Sequence, residues 1–172
     1  MTEPDEHGDP LDLTGARLDG LSLSGFRLAG ARMRGAVLRF TDLSHADLTG
    51  ADLVEATLYG TFLEGAELRG ANLTRASAEG MMASEADLAG AVLHRADLCW
   101  AQLCEADLTG ADLRDADLTR ADLTRAVLRD ARMTGANLSD ARLTGADLRG
   151  TGVRAEWART VTPLVQGALF DP

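Results

Sequence analysis

Aromatic residues are scarce in this sequence, making up 4% of its 172 residues. A globular core of that length ordinarily contains several large rings, which contribute much of the buried area. Leucine and alanine carry the apolar content here instead. We therefore expect a core made by repeating small units rather than by a few bulky anchors.

Long hydrophobic runs, a secretion signal and a set of cysteine pairs are also missing. No stretch of 18 apolar residues occurs, so we expect no membrane span. The opening MTEPDEHGDP lacks the basic and apolar regions of a signal peptide. Two cysteines, Cys99 and Cys104, do not make a disulfide framework. These absences predict a cytoplasmic protein.

An excess of basic residues is absent too, since the formal net charge is -10 and the pI about 4.7. Binding to nucleic acid through its phosphates needs a basic surface that releases counterions. We therefore expect no direct nucleic-acid binding. An acidic surface fits either a basic protein partner or simple solubility.

What the sequence does contain is a five-residue repeat that keeps one register over residues 11–155. Of 29 consecutive pentads, 24 have leucine at the third place, 22 have alanine at the first and 15 have glycine at the fifth. A helix advances about 100° per residue and cannot keep a period of five on one face. A continuous strand alternates with a period of two. Each pentad must therefore combine a short extended piece with a corner, where glycine readily takes positive φ.

The runs ADLTG at 46–50, ANLTR at 71–75, ADLRD at 111–115 and ANLSD at 136–140 resemble the A(D/N)LXX signature of the pentapeptide-repeat family. The resemblance implies an all-β fold, a right-handed quadrilateral parallel β-helix with four pentads per coil. At roughly 4.8 Å between paired strands, about seven coils would make a rod about 34 Å long.

Three regions follow from the extent of the repeat. We expect an acidic N-terminal segment at 1–10, the β-helix at 11–155 and a C-terminal cap or dimerisation segment at 156–172.

Four pentads per coil stack residues 20 apart, which turns the sequence into a map of four faces. One face carries an acidic column at the second place, beside a corner that is almost entirely glycine. The members of this acidic column are Asp47, Glu67, Asp87, Asp107 and Asp147. Two interpretations stay open. The carboxylates accept hydrogen bonds from local backbone amides, or they imitate a line of phosphates and bind a protein partner.

Outward places of a solenoid should be polar, yet most aromatic residues fall there along one edge. Phe40 and Trp100 share a corner line, and Tyr59, Phe62 and Met82 flank it. We call these five residues the aromatic edge. An exposed apolar patch typically marks a contact surface, in which aromatic anchors carry much of the binding energy. The alternatives are scattered surface hydrophobic residues or an edge covered by the C-terminal tail.

The first coil and the middle of the repeat depart from the consensus. Leu11, Leu21 and Phe26 replace alanine in the first coil and predict an internal plug, because a solenoid must close its ends. Residues 1–10 are expected to be mobile. Ala78 and Ala83 replace leucine and predict a thin or bent region near 76–85.

The C-terminal segment is too apolar for a free tail. We expect a short helix that starts at Pro163, and a cap that closes the last coil and forms a homodimer. The residues assigned to this cap are Trp157, Val161, Leu164, Val165, Leu169 and Phe170.

Catalytic and metal chemistry find little support in the repeat. His94, Cys99 and Cys104 occupy the fourth place of three successive pentads, which lie on different sides of the square. Their side chains therefore diverge rather than converge on one ion, and the two sulfurs are too far apart for a disulfide. The glycines are isolated at corners and form no phosphate-binding loop. We expect no metal, no cofactor and no enzymatic activity.

The resemblance also implies a function. The best-characterised branch of the family comprises quinolone-resistance and antibiotic self-resistance proteins, acidic β-helical dimers that resemble duplex DNA and bind DNA gyrase or topoisomerase IV. In a first hypothesis, this chain is a non-catalytic DNA mimic that binds a type II topoisomerase through the acidic column and gives antibiotic resistance. In a second, it is an interaction scaffold that binds another protein through the aromatic edge.

Overall fold

The computed structural model describes residues 10–171, which form a coil of pentads, one short helix and a final half coil. Parallel β-bridges join the second place of each pentad to the second place 20 residues later, from Asp12–Arg32 to Val127–Asp147. Each coil therefore holds four pentads, and the fold is a parallel β-helix. The bridges involve one residue at a time, so residues 10–171 contain no longer strand. The right hand of the coil stays a prediction.

Backbone hydrogen bonds follow one rule in every regular pentad. The third-place and fifth-place N–H groups donate to the next coil, as Leu68 does to the Asp87 carbonyl at 2.7 Å. The second-place N–H donates to the preceding coil, as Asn72 does to the Ala51 carbonyl at 2.9 Å. The first-place N–H closes the corner onto the previous third-place carbonyl. Only the fourth-place N–H is left without a backbone acceptor.

The corners all have the same left-handed conformation at the fifth place. From 15 to 150 these positions are 15 glycines and 13 other residues, and every one has positive φ. Trp100, for example, has φ 60 and Phe40 has φ 54. A residue other than glycine is disfavoured there by roughly 1–2 kcal/mol, which explains why glycine predominates. The ladders on both sides impose the conformation even where glycine is missing.

Alanine and leucine fill the interior at the first and third places, and from Leu28 to Leu148 nearly all of them are buried. Thr41 and Thr61 replace alanine and are fully buried. Their hydroxyls donate to the carbonyls of Leu18 and Leu38, both at 2.7 Å. A buried hydroxyl is tolerated because it finds this acceptor.

The segment 76–85, expected to be thin or bent, keeps the regular ladder. Ala78 and Ala83 donate to the next coil at 2.8 Å each, and Met81 lies fully buried between them. The inter-coil hydrogen bonds therefore pass through this segment without interruption.

The first coil is only partly closed. Leu11 and Phe26 pack half-buried against the core, whereas Leu21 is 48% exposed. The plug expected from all three residues thus involves only two of them. Residues 1–9, the greater part of the segment expected to be mobile, lie outside the described residues.

The C-terminal helix, α1, spans Ala155–Val161. The prediction of a helix beginning at Pro163 is wrong, because this proline follows the helix instead of starting one. A residue before proline is restricted to extended backbone, and Thr162 has φ -150 and ψ 136. The proline therefore favours the end of α1.

After α1 the chain returns to the coil with a shift of two residues. Leu143 donates to the Leu164 carbonyl at 2.7 Å and Leu148 to the Leu169 carbonyl at 2.8 Å, a separation of 21 where the regular coil has 19. The runs PLVQG and ALFD thus form a final half coil over 141–150. The pentad at 151–155, which the sequence placed in the repeat, forms no bridge.

Candidate functional site

The acidic column lies on one line of the rod. Successive bridges join Asp47, Glu67, Asp87 and Asp107, and Val127 separates these from Asp147. Glu67 is exposed, the other members of the upper column are half-buried, and Asp147 is buried. The face map drawn from the sequence therefore brings these residues together.

Most of these carboxylates accept hydrogen bonds from their own pentad. Oδ1 of Asp47 accepts from the Thr49 amide at 3.0 Å, and Oδ1 of Asp107 accepts from the Thr109 amide at 2.9 Å. The acceptor satisfies the fourth-place N–H, which the ladder leaves unpaired. The same bond recurs on other faces, at Asp12, Asp42, Asp52, Asn72, Asp97, Asp112, Asp117, Asp122 and Asn137. Aspartate or asparagine at the second place is therefore a folding feature of the whole rod.

Arginines neutralise part of the column. Arg69 pairs with Asp87, and Asp147 binds Arg129 at 2.5 Å and Arg149 at 2.6 Å. Hydrogen bonds from the Arg149 side chain, and then from Arg129, hold the pKa of Asp147 well below its usual range. Within 10–171, Glu67 and Asp107 form no ion pair with an arginine, so the free charge of the column is smaller than its sequence suggests.

The four rings of the aromatic edge are exposed, and Met82 is half-buried. Phe40 is 56% exposed and Trp100 54%, and Tyr59 and Phe62 are about as accessible at 43% and 40%. The Phe40 and Tyr59 rings meet edge to face, with centroids 5.3 Å apart. Phe62 is bridged directly to Met82 in the next coil. The five residues form one apolar surface that the C-terminal tail does not cover.

Two glycines separate the rings at the corner. Phe40 folds over Gly60, where a Cβ would lie 2.8 Å from the ring, so a larger residue at this corner would displace the ring. At Gly80, no described atom other than its chain neighbours lies within 4 Å of such a Cβ. At roughly 4.8 Å per coil, Gly80 is a shallow notch between the Phe40 ring and Trp100.

Acidic side chains occur in the pentads next to this notch, with Glu79 directly before Gly80. Glu64, Glu79 and Glu85 are exposed, and none of the three forms an ion pair in the described part of the chain. Basic residues lie near the edge too, since exposed Arg39 directly precedes Phe40. The Arg120 guanidinium is 4.8 Å from the centroid of the Trp100 ring. It also approaches Asp140, at 3.6 Å.

The C-terminal cap residues divide into two groups. Val161, Val165 and Phe170 pack half-buried against the core. The exposed group consists of Trp157, Leu164 and Leu169, at 42%, 44% and 47%. The inward group covers the end of the rod, and the outward group leaves an apolar surface there.

A family model of pentapeptide repeats matches this chain in 8 copies, over residues 12–50, 51–82, 84–120 and 111–150. The chain belongs to the pentapeptide-repeat family. No curated protein matches it significantly.

Solved structures of other pentapeptide-repeat proteins resemble this one. HetL from the cyanobacterium Nostoc sp. strain PCC 7120, involved in heterocyst differentiation regulation, is 28% identical, with 93% of this chain and 87% of that chain covered and a TM-score of 0.40. A trypsin-treated QnrB1, a plasmid-mediated fluoroquinolone resistance protein, is 19% identical over 90% of this chain and 89% of that chain, with a TM-score of 0.54. The likeness to QnrB1 supports a shared fold.

The thiols of this pentapeptide-repeat protein are free. Burial, followed by the hydrogen bond and charge of Asp97, raises the pKa of Cys99 to about 12. A thiol that stays protonated is a poor nucleophile and metal ligand. The Nδ1 atom of His94 lies 2.9 Å from the Arg114 carbonyl. Residues 10–171 contain no cluster of three or more metal-ligating side chains, and no helix there is long and apolar enough to cross a membrane.

Sequence reasoning overlooked the ion pairs that run along the corners of the repeat. Arg125 binds Glu105 at 3.0 Å and Arg75 approaches Glu55 at 3.5 Å, each one coil apart. Opposite charges spaced by 20 residues are the signal that would have revealed them. Exposed pairs of this kind contribute roughly 0–1 kcal/mol each.

Proposed function

We propose that this pentapeptide-repeat protein is a non-catalytic rod that binds another protein through the aromatic edge. The observation that carries the proposal is the exposure of four rings, Phe40, Tyr59, Phe62 and Trp100, in one patch over four coils. Exposed apolar patches on a soluble protein are commonly contact surfaces. Aromatic residues bury a large area on binding at a low cost in conformational entropy.

The surroundings of the edge favour a partner of defined chemistry. The notch at Gly80 accepts an apolar side chain between Phe40 and Trp100. The free carboxylates of Glu64, Glu79 and Glu85 favour lysine or arginine next to that side chain. The partner segment is therefore apolar and basic, and the net charge of -10 would speed its encounter with the rod.

A capture experiment with matched variants tests this assignment. The immobilised protein, the variant W100A/F62A and the control V92A are exposed to extract from the source cells, and retained proteins are identified by mass spectrometry. Val92 is half-buried at an outward second place on another side of the rod, where it is bridged to Asn72 and Asp112. We expect a partner that the wild type and V92A retain and that W100A/F62A loses. Equal recovery by all three forms would contradict the proposal.

A second candidate is binding to a type II topoisomerase through the acidic column, as a DNA mimic that protects against antibiotics. Glu67 and Asp107 support it, because they lie on one line beside a glycine corner and are not neutralised within the described residues. The shared fold with QnrB1, a fluoroquinolone resistance protein, makes the comparison worth testing. The assay is supercoiling by DNA gyrase, with and without a quinolone. The absence of any effect at tens of micromolar protein would exclude this candidate.

A homodimer is proposed at the C-terminal end, where Leu164 and Leu169 are exposed on the final half coil. Pairing two identical apolar ends would remove both side chains from water. The measurement is the molar mass at micromolar concentration for the wild type and L164E/L169E. A monomeric mass for the wild type would count against the dimer.

A further inference from the structure

The last complete coil has an unpaired edge on two of its faces. In a regular coil the third-place and fifth-place amides donate to the next coil. At Met133, Gly135 and Leu138 these amides have no backbone acceptor among residues 10–171. The carbonyls of Ala131 and Ala136, which should accept from the next coil, likewise receive no donor in the described chain. Five polar groups of one edge are thus left unpaired.

The cause is the course of residues 151–161. These residues would form the next coil over this edge, but the pentad at 151–155 makes no bridge and the following residues form α1. Two of the unpaired amides belong to buried residues, since Met133 is 7% exposed and Leu138 is 1% exposed. Backbone groups beside such buried side chains are nearly always paired in proteins.

A groove lies between this edge and α1. It has a volume of about 520 Å³ and is open to solvent on one side. Met133, Gly135 and Ala136 line one wall, and Val153, Arg154 and Trp157 line the other. We call it the edge groove. Three of the five unpaired groups, those of Met133, Gly135 and Ala136, belong to residues that line it.

The spacing of the unpaired groups defines what fits. An occupant must offer carbonyls at positions i, i+2 and i+5 to Met133, Gly135 and Leu138, which an extended chain with one corner supplies. Chains of this kind bind exposed edges by β-strand addition. The coil of a second rod cannot enter, because residues 163–171 already occupy the other half of the same layer. A single extended segment is therefore the occupant that the groove accepts.

Charge selects among extended segments. Arg154 lines the groove and forms no ion pair in the described chain, whereas Arg132, exposed beside Met133, approaches Asp112 at 3.7 Å. Asp112 is bound more closely by Arg114 at 2.5 Å, and Asp115 is paired with Arg95 at 3.6 Å. An acidic segment therefore finds a basic partner without a competing carboxylate in Arg154.

We propose that the edge groove binds the acidic N-terminal segment, residues 1–10, of a second copy of this chain. This segment carries Glu3, Asp5, Glu6 and Asp9, the densest run of acidic residues in the sequence. It precedes the first coil, whereas the groove lies at the opposite end, about seven coils or roughly 34 Å away. Ten residues span at most about 36 Å when fully extended, so the segment cannot reach and line its own groove.

The resulting contact joins the N-terminus of one rod to the C-terminal end of the next. It is heterologous, because different surfaces meet, and it adds copies head to tail without closing. The homodimer proposed above pairs identical ends and does not involve residues 1–10. Removing the segment therefore distinguishes the two contacts.

The first test compares the full chain with a variant lacking residues 2–9 by sedimentation velocity over a range of concentrations. We expect the mass of the full chain to rise with concentration beyond that of the truncated variant. R154E should weaken this association about tenfold, because it places a like charge against the segment. The control R159E reverses a charge on α1 that does not line the groove, and it should associate as the wild type does. Identical masses for the full and truncated chains would overturn the proposal.

The second test uses a synthetic peptide, MTEPDEHGDP, added to the truncated variant. We expect it to slow hydrogen exchange at Met133, Gly135 and Leu138, and a peptide with lysine at its four acidic positions to leave exchange unchanged. This readout reports pairing at the edge itself and does not depend on assembly. Unchanged exchange with the acidic peptide would also overturn the proposal.

Discussion

The acidic column and the aromatic edge use the same outward places of one rod, but they differ in what their side chains are bonded to. Asp107 and three other members of the column accept a hydrogen bond from their own pentad, and two members are also paired with arginines. Trp100 and Phe62 stay about half exposed, and Trp100 contacts the Arg120 guanidinium through its ring. A polar residue that recurs in every coil is thus explained by folding, whereas an apolar residue that interrupts the pattern needs another explanation.

Acid should have the largest effect, because it acts on the capped aspartates of all faces at once. Hydrogen bonds from the Ser44 amide to Asp42, from Arg114 to Asp112 and from Arg149 to Asp147 lower these pKa values. Their stabilisation is complete above the unfolded value of about 3.9 and is lost as pH falls through the lowered folded values. We expect constant stability from pH 7 to about pH 4 and a steep loss below, measured by urea unfolding. A loss between pH 7 and 5 would indicate a self-repelling column instead.

The next effect is on binding and concerns only the aromatic edge. The double substitution W100A/F62A should weaken binding of the captured partner by at least about 2 kcal/mol, which is a roughly thirtyfold loss of affinity. Its stability should change by no more than roughly 0.5 kcal/mol for each exposed residue. Titration calorimetry and urea unfolding of the same variant separate the two quantities. A large loss of stability would show that the rings are structural.

Asp147 is the member of the column most involved in folding. D147A removes an acceptor from Arg129, Arg149 and the Arg149 amide, and should cost about 2 kcal/mol of unfolding free energy. Chemical denaturation of D147A and the wild type measures this loss of unfolding free energy. A cost near zero would show that these bonds contribute nothing net.

A matched pair within the column gives the smallest effect. D107A removes the acceptor of the Thr109 amide and should cost roughly 1 kcal/mol. E67A removes a carboxylate that accepts no such bond from residues 10–171 and should be neutral within roughly 0.5 kcal/mol. Equal losses of unfolding free energy for both variants would show that amide capping is not the reason why aspartate is preferred at the second place.

Much of the rod follows from the sequence because one physical constraint repeats without interruption. A period of five leaves a single way to bury Leu68 and Leu88, so stacking by 20 residues correctly aligned the column and the edge. The C-terminal region could not be derived in this way. Its two pentads are shifted by two residues and have Val165 and Phe170 where leucine is usual, so the register was not visible. The edge groove depends on that shift, since it arises where α1 replaces half a coil.

Site-specific cross-linking tests the central claim, that the aromatic edge and not the acidic column contacts the partner. A photoreactive phenylalanine analogue replaces Phe62 in one form and Asp107 in another, and each is irradiated in extract. We predict a cross-linked partner from position 62 and none from position 107. A product from position 107 alone would contradict the account and favour the acidic column.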